Sequence, residues 1–254
     1  MSDLISSALK TQEYFLWALS KEIFEEKGVT AYFPGIPEPN LNFAMQTGDI
    51  EGDLEEILHQ VETFYKERGL PWFWQLNPAR DQSNLKTTLH KCGYEITERY
   101  STFVGFIDPF SLQENEQNIT IKEVGDGQLS DWILPQQEAF QTTEDCAHDY
   151  LKAHIRALQK NATFHHFVAY ADGKPVSAST LSLSAYGARL DDLGTRPAYQ
   201  RKGIGLAMVR HQMKVAKDLG YEWVCLDTSE QGAFLCQSMG FQELCQNEVY
   251  GRVF

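Results

Sequence analysis

Between Leu190 and Ala207 the chain reads Leu-Asp-Asp-Leu-Gly-Thr, then Arg-Pro, then Ala-Tyr-Gln-Arg-Lys-Gly-Ile-Gly-Leu-Ala, and this stretch restricts the fold more than any other. Pro197 cannot donate to a strand ladder, so the run before it is a strand that stops there. Gly203 and Gly205 allow backbone conformations and close approaches that a side chain would block. Beyond them Ile204, Ala207, Met208, His211, Val215 and Leu219 recur at helical spacing, with Arg210, Lys214 and Lys217 turned away. The order is strand, loop, helix. A helix that starts near Gly203 aims its first unpaired amides back into the loop, with the positive end of its dipole behind them, and such a site suits a phosphate.

Residue identities separate the phosphate loops this could be. A nucleotide-hydrolase loop ends in Gly-Lys-Ser/Thr, whereas Leu206 and Ala207 follow Gly205 here. A dinucleotide fingerprint needs a third small residue where the helix packs on the strand, and Met208 fills that position. The remaining pattern, Gln200-Arg201-Lys202-Gly203-Ile204-Gly205, resembles the pyrophosphate loop of the GNAT family of N-acetyltransferases, Gln/Arg-x-x-Gly-x-Gly/Ala; the alternative is an ordinary glycine turn before a helix. Thr195-Arg196-Pro197 stands where the family has its Val-x-Pro step. Ala233 to Phe241 resembles its closing helix, which ends in Gly-Phe.

The resemblance covers residues 119–254. It implies an α/β fold of the α+β type, with a mixed, mostly antiparallel central sheet flanked by helices. It further implies that Leu193, Gly194 and Thr195 pair through their backbone with the pantetheine arm of acetyl-CoA. Gln200, Arg201, Lys202, Gly203, Ile204, Gly205 and Leu206 would take the pyrophosphate, and no metal is required. The sequence departs from the family at Ser229, where many members carry asparagine and which joins the cofactor-binding set, and at Cys236, where many carry tyrosine. Asp191 and Asp192 lie where many members have an acidic pair. They are candidates to accept a proton from the amine, against the alternative of a strand-end charge or a salt bridge. Cys236 is a candidate proton donor to the leaving thiolate, or packing.

Composition narrows the setting. A net charge of −13 disfavours nucleic acid, because phosphate neutralisation needs a basic surface. The same charge favours a cationic acceptor, while Arg196, Arg201, Lys202 and Arg210 reverse it around the loop. Five cysteines, without a CxxC pair, argue against a disulfide frame or a zinc site. No basic leader or membrane-length apolar run is present, so the expected setting is the cytoplasm, with no membrane partner.

Along the chain, apolar spacing from Leu9 to Phe24 predicts a helix over residues 1 to about 29, closing near Lys27-Gly28. Prolines then enforce strand and turn through Asn40. A helix is expected from Leu54 to Gly69, followed by an aromatic strand over 71–76. Further on come a strand over 119–124, helices over 130–141 and 144–159, and two strands around the turn Ala171-Asp172-Gly173-Lys174. His165 and His166 point to opposite faces of a strand and read as one buried and one exposed imidazole without chemistry. A strand over 221–227, a short helix over 232–238 and a final strand pair close the chain.

The order repeats. His59-Gln60, Gly69 to Trp72, Cys92-Gly93-Tyr94 and Phe106 parallel His211-Gln212, Gly220 to Trp223, Met239-Gly240-Phe241 and Phe254. This predicts a degenerate GNAT-like domain over 1–110, a polar linker over 111–118 and an active domain over 119–254. The first domain, with acidic Asp49, Glu51 and Asp53 ahead of its helix, should not hold CoA. The expected activity is acetyl transfer from acetyl-CoA directly to a primary amine of a small molecule or peptide. The contrasting reading is a non-catalytic CoA-binding or regulatory module, and the sequence leaves the oligomeric state open.

Overall fold

In the computed structural model, residues 2–107, 118–228 and 230–252 are described here. The first run forms α1 (Ser2–Leu19), β1 (Glu22–Glu26), β2 (Val29–Phe33), β3 (Phe43–Gln46), α2 (Leu54–Arg68), β4 (Phe73–Gln75), α3 (Ser83–Lys91) and β5 (Tyr94–Phe106). Then follow β6 (Thr120–Val124), α4 (Leu129–Phe140), α5 (Glu144–Gln159), β7 (Phe164–Ala171), β8 (Lys174–Ser184), β9 (Gly187–Thr195), α6 (Ile204–Asp218), β10 (Trp223–Thr228), α7 (Glu230–Ser238) and β11 (Gln242–Arg252). From α1 to β5 the order is helix, three strands, helix, strand, helix, strand, and α5 to β11 repeat it. The expected linker falls almost entirely outside the described residues, as do Ser229 and Phe254.

The described strands make one sheet in the order β1-β2-β3-β4-β11-β5-β10-β9-β8-β7-β6. Only β3 with β4 and β9 with β10 run parallel, so the sheet is mixed and mostly antiparallel. Its centre is a reciprocal exchange. β5, the last strand of the first half, pairs with β10 of the second from Phe106↔Trp223 to Ser101↔Thr228. β11, the last strand of the second half, pairs with β4 at Tyr250↔Trp74 and with β5 over nearly its whole length. The expected final strand pair is therefore one strand, and its neighbours on both sides come from the first half.

Packing follows the exchange. Phe103 of β5 sits in the core of the second half with Met208, Met213 and Phe241. Tyr250 of β11 sits in the core of the first half with Tyr65, Trp74 and Leu89. Full burial of a side chain of this kind contributes about 2–3 kcal/mol, so each half is completed by a ring the other supplies. Close backbone contact marks the same seam, since a Cβ on Gly105 would lie 2.5 Å from the Phe241 ring. Helix α1 staples it: Thr11 Oγ1 lies 3.2 Å from Cys225 Sγ, and Gln12 exchanges amide hydrogen bonds of 3.0 and 2.8 Å with Gln75.

Two local expectations are corrected. Helix α1 stops at Leu19, and Ile23 and Phe24 lie in β1; Lys27 and Gly28, at φ 46° and 84°, are the turn of the β1–β2 hairpin. A turn with both central residues left-handed matches strand twist, and the pairing it permits outweighs helical spacing. In α6 the buried face is Ile204, Met208, Val209, Gln212, Met213 and Ala216, while Leu219 is 52% exposed. The stripe is rotated because the helix lies along a sheet whose direction the sequence did not reveal. Among the described residues no helix is long and apolar enough to cross a membrane.

Candidate functional site

The site begins where two strands part. Parallel pairing of β9 with β10 is confined to Ala188↔Val224 and Arg189↔Cys225. Beyond Arg189 the strands diverge, and the β10-facing edge of β9 lies open along a cleft of about 830 Å³. Leu193, Thr195, Gln200, Arg201 and Gly205 line that cleft, together with Asp191, Asp192 and Cys236. Most of the residues singled out in the sequence thus converge.

The loop has the backbone its composition requires. Arg201 and Gly203 adopt φ 59° and 77°, and Gly203 caps α6 without a side-chain hydrogen bond. No acidic residue occupies the first turn. Amides aimed by such left-handed residues form an anion-binding concavity at a helix start. A tight turn at Pro197–Tyr199 leads into it, fixed by Arg196 N–H to the Val176 carbonyl at 2.9 Å. Gln200 Nε2 returns to the Thr195 carbonyl at 3.0 Å. Ile204 is buried in the core and Lys202 lies over the Tyr199 ring, so these two offer backbone rather than side chain. Gly194 faces the other way, where a Cβ would lie 2.8 Å from Gln136 Oε1 of α4.

The two aspartates part company. Asp191 is fully engaged: Arg189 Nε donates to Oδ1 and Ser182 Oγ to Oδ2, both at 2.7 Å. Arg189 continues to Asp227 Oδ2 at 2.7 Å, and Thr102 Oγ1 donates to Asp227 Oδ1 at 2.6 Å. Asp191 therefore has the geometry of a buried ion pair that ties β9 to β10 and to the exchanged strand β5. Asp192 sits in a β-bulge, where the β8 partner shifts from Thr180 at Asp191 to Ala178 at Gly194, and its φ is +59°. A bulge re-aims a side chain. Burial above all, then the charge of Asp191, pushes the Asp192 carboxyl up to about 7, while the Tyr150 and Thr180 hydroxyls pull the other way. Tyr150 OH donates to Oδ1, and Oδ2 has no hydrogen-bond partner.

Cys236 is buried, and burial pushes its thiol up to about 11. A second cavity, of about 370 Å³, meets the cleft at Asp192. Its walls come from the first half through Glu38, Asn40 and Leu41, from α4 through Phe140 and from α5 through Tyr150. Sequence reading did not single out these wall residues, and it missed His154 and Tyr150. Their spacing of four residues on one face of the helix 144–159, polar groups where the helix is apolar, was the available signal.

Residues 162–243 match the family model described as "Acetyltransferase (GNAT) domain". This segment is a GNAT domain. It contains the bulged strand β9, the loop and helix α6. No curated protein sequence matches the chain significantly. The fold is that of a GCN5-related N-acetyltransferase from Kribbella flavida, 14% identical, with a TM-score of 0.71 over 97% of this chain and 96% of that one. It is also that of a GCN5-related N-acetyltransferase from Sphaerobacter thermophilus, 14% identical, TM-score 0.63, covering 88% and 76%. A tandem GNAT protein from the clavulanic acid biosynthesis pathway, 10% identical, gives a TM-score of 0.62 over 87% and 77%.

Proposed function

We propose that the chain is an acetyl-CoA-dependent N-acyltransferase that moves an acetyl group directly to a primary amine. The observation that carries this reading is the parting of β9 from β10 in front of the Arg201–Gly205 loop, with Asp192 at the junction of cleft and second cavity. The open edge of β9 at Leu193 to Thr195 suits the amide groups of a pantetheine arm. The left-handed loop and the start of α6 suit its pyrophosphate. Acetyl-CoA supplies the activated thioester. The chain supplies positioning and a place for a proton.

The amine enters through the cavity walled by the first half, where Glu38 and Asp192 favour an ammonium and Leu41 and Phe140 favour an apolar stem. The Asp192 carboxylate accepts a proton from the amine, and a carboxyl near 7 is matched to that task at neutral pH. Asp191 holds the strands and does not touch the acceptor. Cys236, whose thiol stays protonated, is packing. Acetyl-CoA turnover measured over a panel of mono- and diamines tests the reading. Thiol release that depends on an amine and rises with pH through about 7 is the expected result. Tight CoA binding without turnover on any amine would instead favour a CoA-binding module.

A further inference from the structure

Behind Asp192, away from the cleft, lie two imidazoles that the proposed reaction does not use. His154 of α5 and His166 of β7 are fully buried, and His154 Nδ1 lies 2.8 Å from His166 Nε2. The other nitrogen, His154 Nε2, lies 3.6 Å from Asp192 Oδ2. Both that nitrogen and that oxygen lack a hydrogen-bond partner. Trp132 packs on both rings, and Phe15 and Phe164 close the pocket around His154.

We propose that His154 is a positioning residue for Asp192: its tautomer is set by His166, and it donates its Nε2 proton to Asp192 Oδ2. The inference rests on Asp192 being the proton acceptor. Burial lowers the basicity of both rings, with each ring also facing another histidine, so each is neutral and carries one proton. The 2.8 Å contact must hold a single proton, since two would clash and none would set lone pairs against each other. If His154 gives that proton, its Nε2 is bare and confronts a carboxylate oxygen, leaving two buried acceptors unpaired. If His166 gives it, the His154 proton sits on Nε2 and both orphan atoms are satisfied by a small tilt. An ionised Asp192 selects the second arrangement. The other groups facing Asp192 fit it: Tyr150 OH occupies Oδ1, Gln136 Nε2 holds the Asp192 backbone carbonyl, Thr180 approaches from β8, and Arg189 is spent on Asp191 and Asp227.

Two measurements on the full chain test this. In ¹⁵N-histidine NMR at pH 8.5, His154 and His166 are both expected as neutral rings with the proton on Nε2. A His154 proton on Nδ1 would overturn the proposal, whether or not any amine is acetylated. In pH profiles of kcat/KM, His154→Phe removes the donor and should move the acid limb up by about one unit, a tenfold loss below neutrality, because a hydrogen bond to the ionised carboxylate favours the charged form. His154→Gln keeps an amide N–H near the Nε2 position and should restore the limb. Midpoints equal to that of the unsubstituted chain in both variants would mean that His154 only packs. Should His154→Phe fail to fold, the tautomer measurement and His154→Gln still decide. Absent acetyl transfer with the expected tautomers would refute the proposed reaction and leave the His154–Asp192 contact standing.

Discussion

The two halves of this molecule answer the same helix start in opposite ways. In the first, α2 is capped by Asp53, whose carboxylate accepts from Glu55 N–H at 2.9 Å, and Glu55 and Glu56 fill the first turn. In the second, α6 starts at Gly203 with no side-chain cap and no acid. The strands ahead of the helices differ too. β3 and β4 pair at Phe43↔Phe73, Ala44↔Trp74 and Met45↔Gln75, all of β4, whereas β9 and β10 pair at only two positions and part. The loop after β3 is moreover sewn to the β1–β2 turn, with Thr47 and Gly48 N–H both on the Gly28 carbonyl. One half has spent its helix amides and closed its groove on itself; the other has left both free.

Separating the halves should have the largest effect. Residues 1–107 alone lose β11 from beside β4 and Tyr250 from their core, so neither edge nor core is complete. The expected outcome is loss of cooperative unfolding by circular dichroism and of dispersed NMR signals, restored when residues 118–254 are supplied. A folded, monomeric fragment would show that the exchange is dispensable.

Next comes charge at the loop. A Cβ at Gly205 would meet Leu235 and Thr195 no closer than 3.9 Å, so Gly205→Asp fits the fold but sets a carboxylate against pyrophosphate. At an effective dielectric near 20, like charges about 4 Å apart cost about 4 kcal/mol, and acetyl-CoA affinity should fall roughly a hundredfold or more by calorimetry. Gly203→Asp adds a loss of freedom at φ 77° and should do the same. The converse sharpens the comparison: removing Asp49, Glu51 and Asp53 as amides should gain no CoA binding in the first half, because β3 and β4 stay paired. Binding gained there would show that charge alone separates the halves.

The acidic pair is a smaller version of the same contrast. Asp192→Asn should lower turnover about a hundredfold while CoA binding persists, as for loss of a general base. Its effect on stability has a definite sign. A carboxyl raised to about 7 in the fold binds its proton more tightly there than unfolded, so its contribution to stability is full at low pH and is lost as pH rises to about 7. Asp192→Asn should therefore melt above the unsubstituted protein at pH 8, with the advantage shrinking toward pH 4. Asp191→Asn breaks a buried ion pair instead and should cost about 3 kcal/mol in denaturant unfolding. The smallest effect is expected at Cys236→Ala, about 1 kcal/mol of packing with turnover unchanged. A collapse of turnover there would make the thiol the proton donor.

What the sequence determined by itself was local and periodic. Pro197, Gly203 and Gly205 restrict backbone angles wherever they stand, so strand, loop and helix were legible around them, as was the span of α2 from Leu54 to its cap at Gly69. The repeated order of helices and strands was visible for the same reason. Tertiary structure decided the rest. Strand propensity does not say which strand lies alongside, so the exchange of β5 and β11 could not be read from either half. The hairpin turn at Lys27-Gly28 overrode a helical spacing because β2, which β1 pairs with, is itself held in the sheet by β3. Asp191 and Asp192 are neighbours of one chemical type, and only the bulge at Asp192 sent one carboxylate to Arg189 and Ser182 as an ion pair and turned the other toward Tyr150 and His154. Burial and partners set the chemistry of a carboxylate, and for Asp192 the partners Tyr150 and His154 come from a helix far away in the chain.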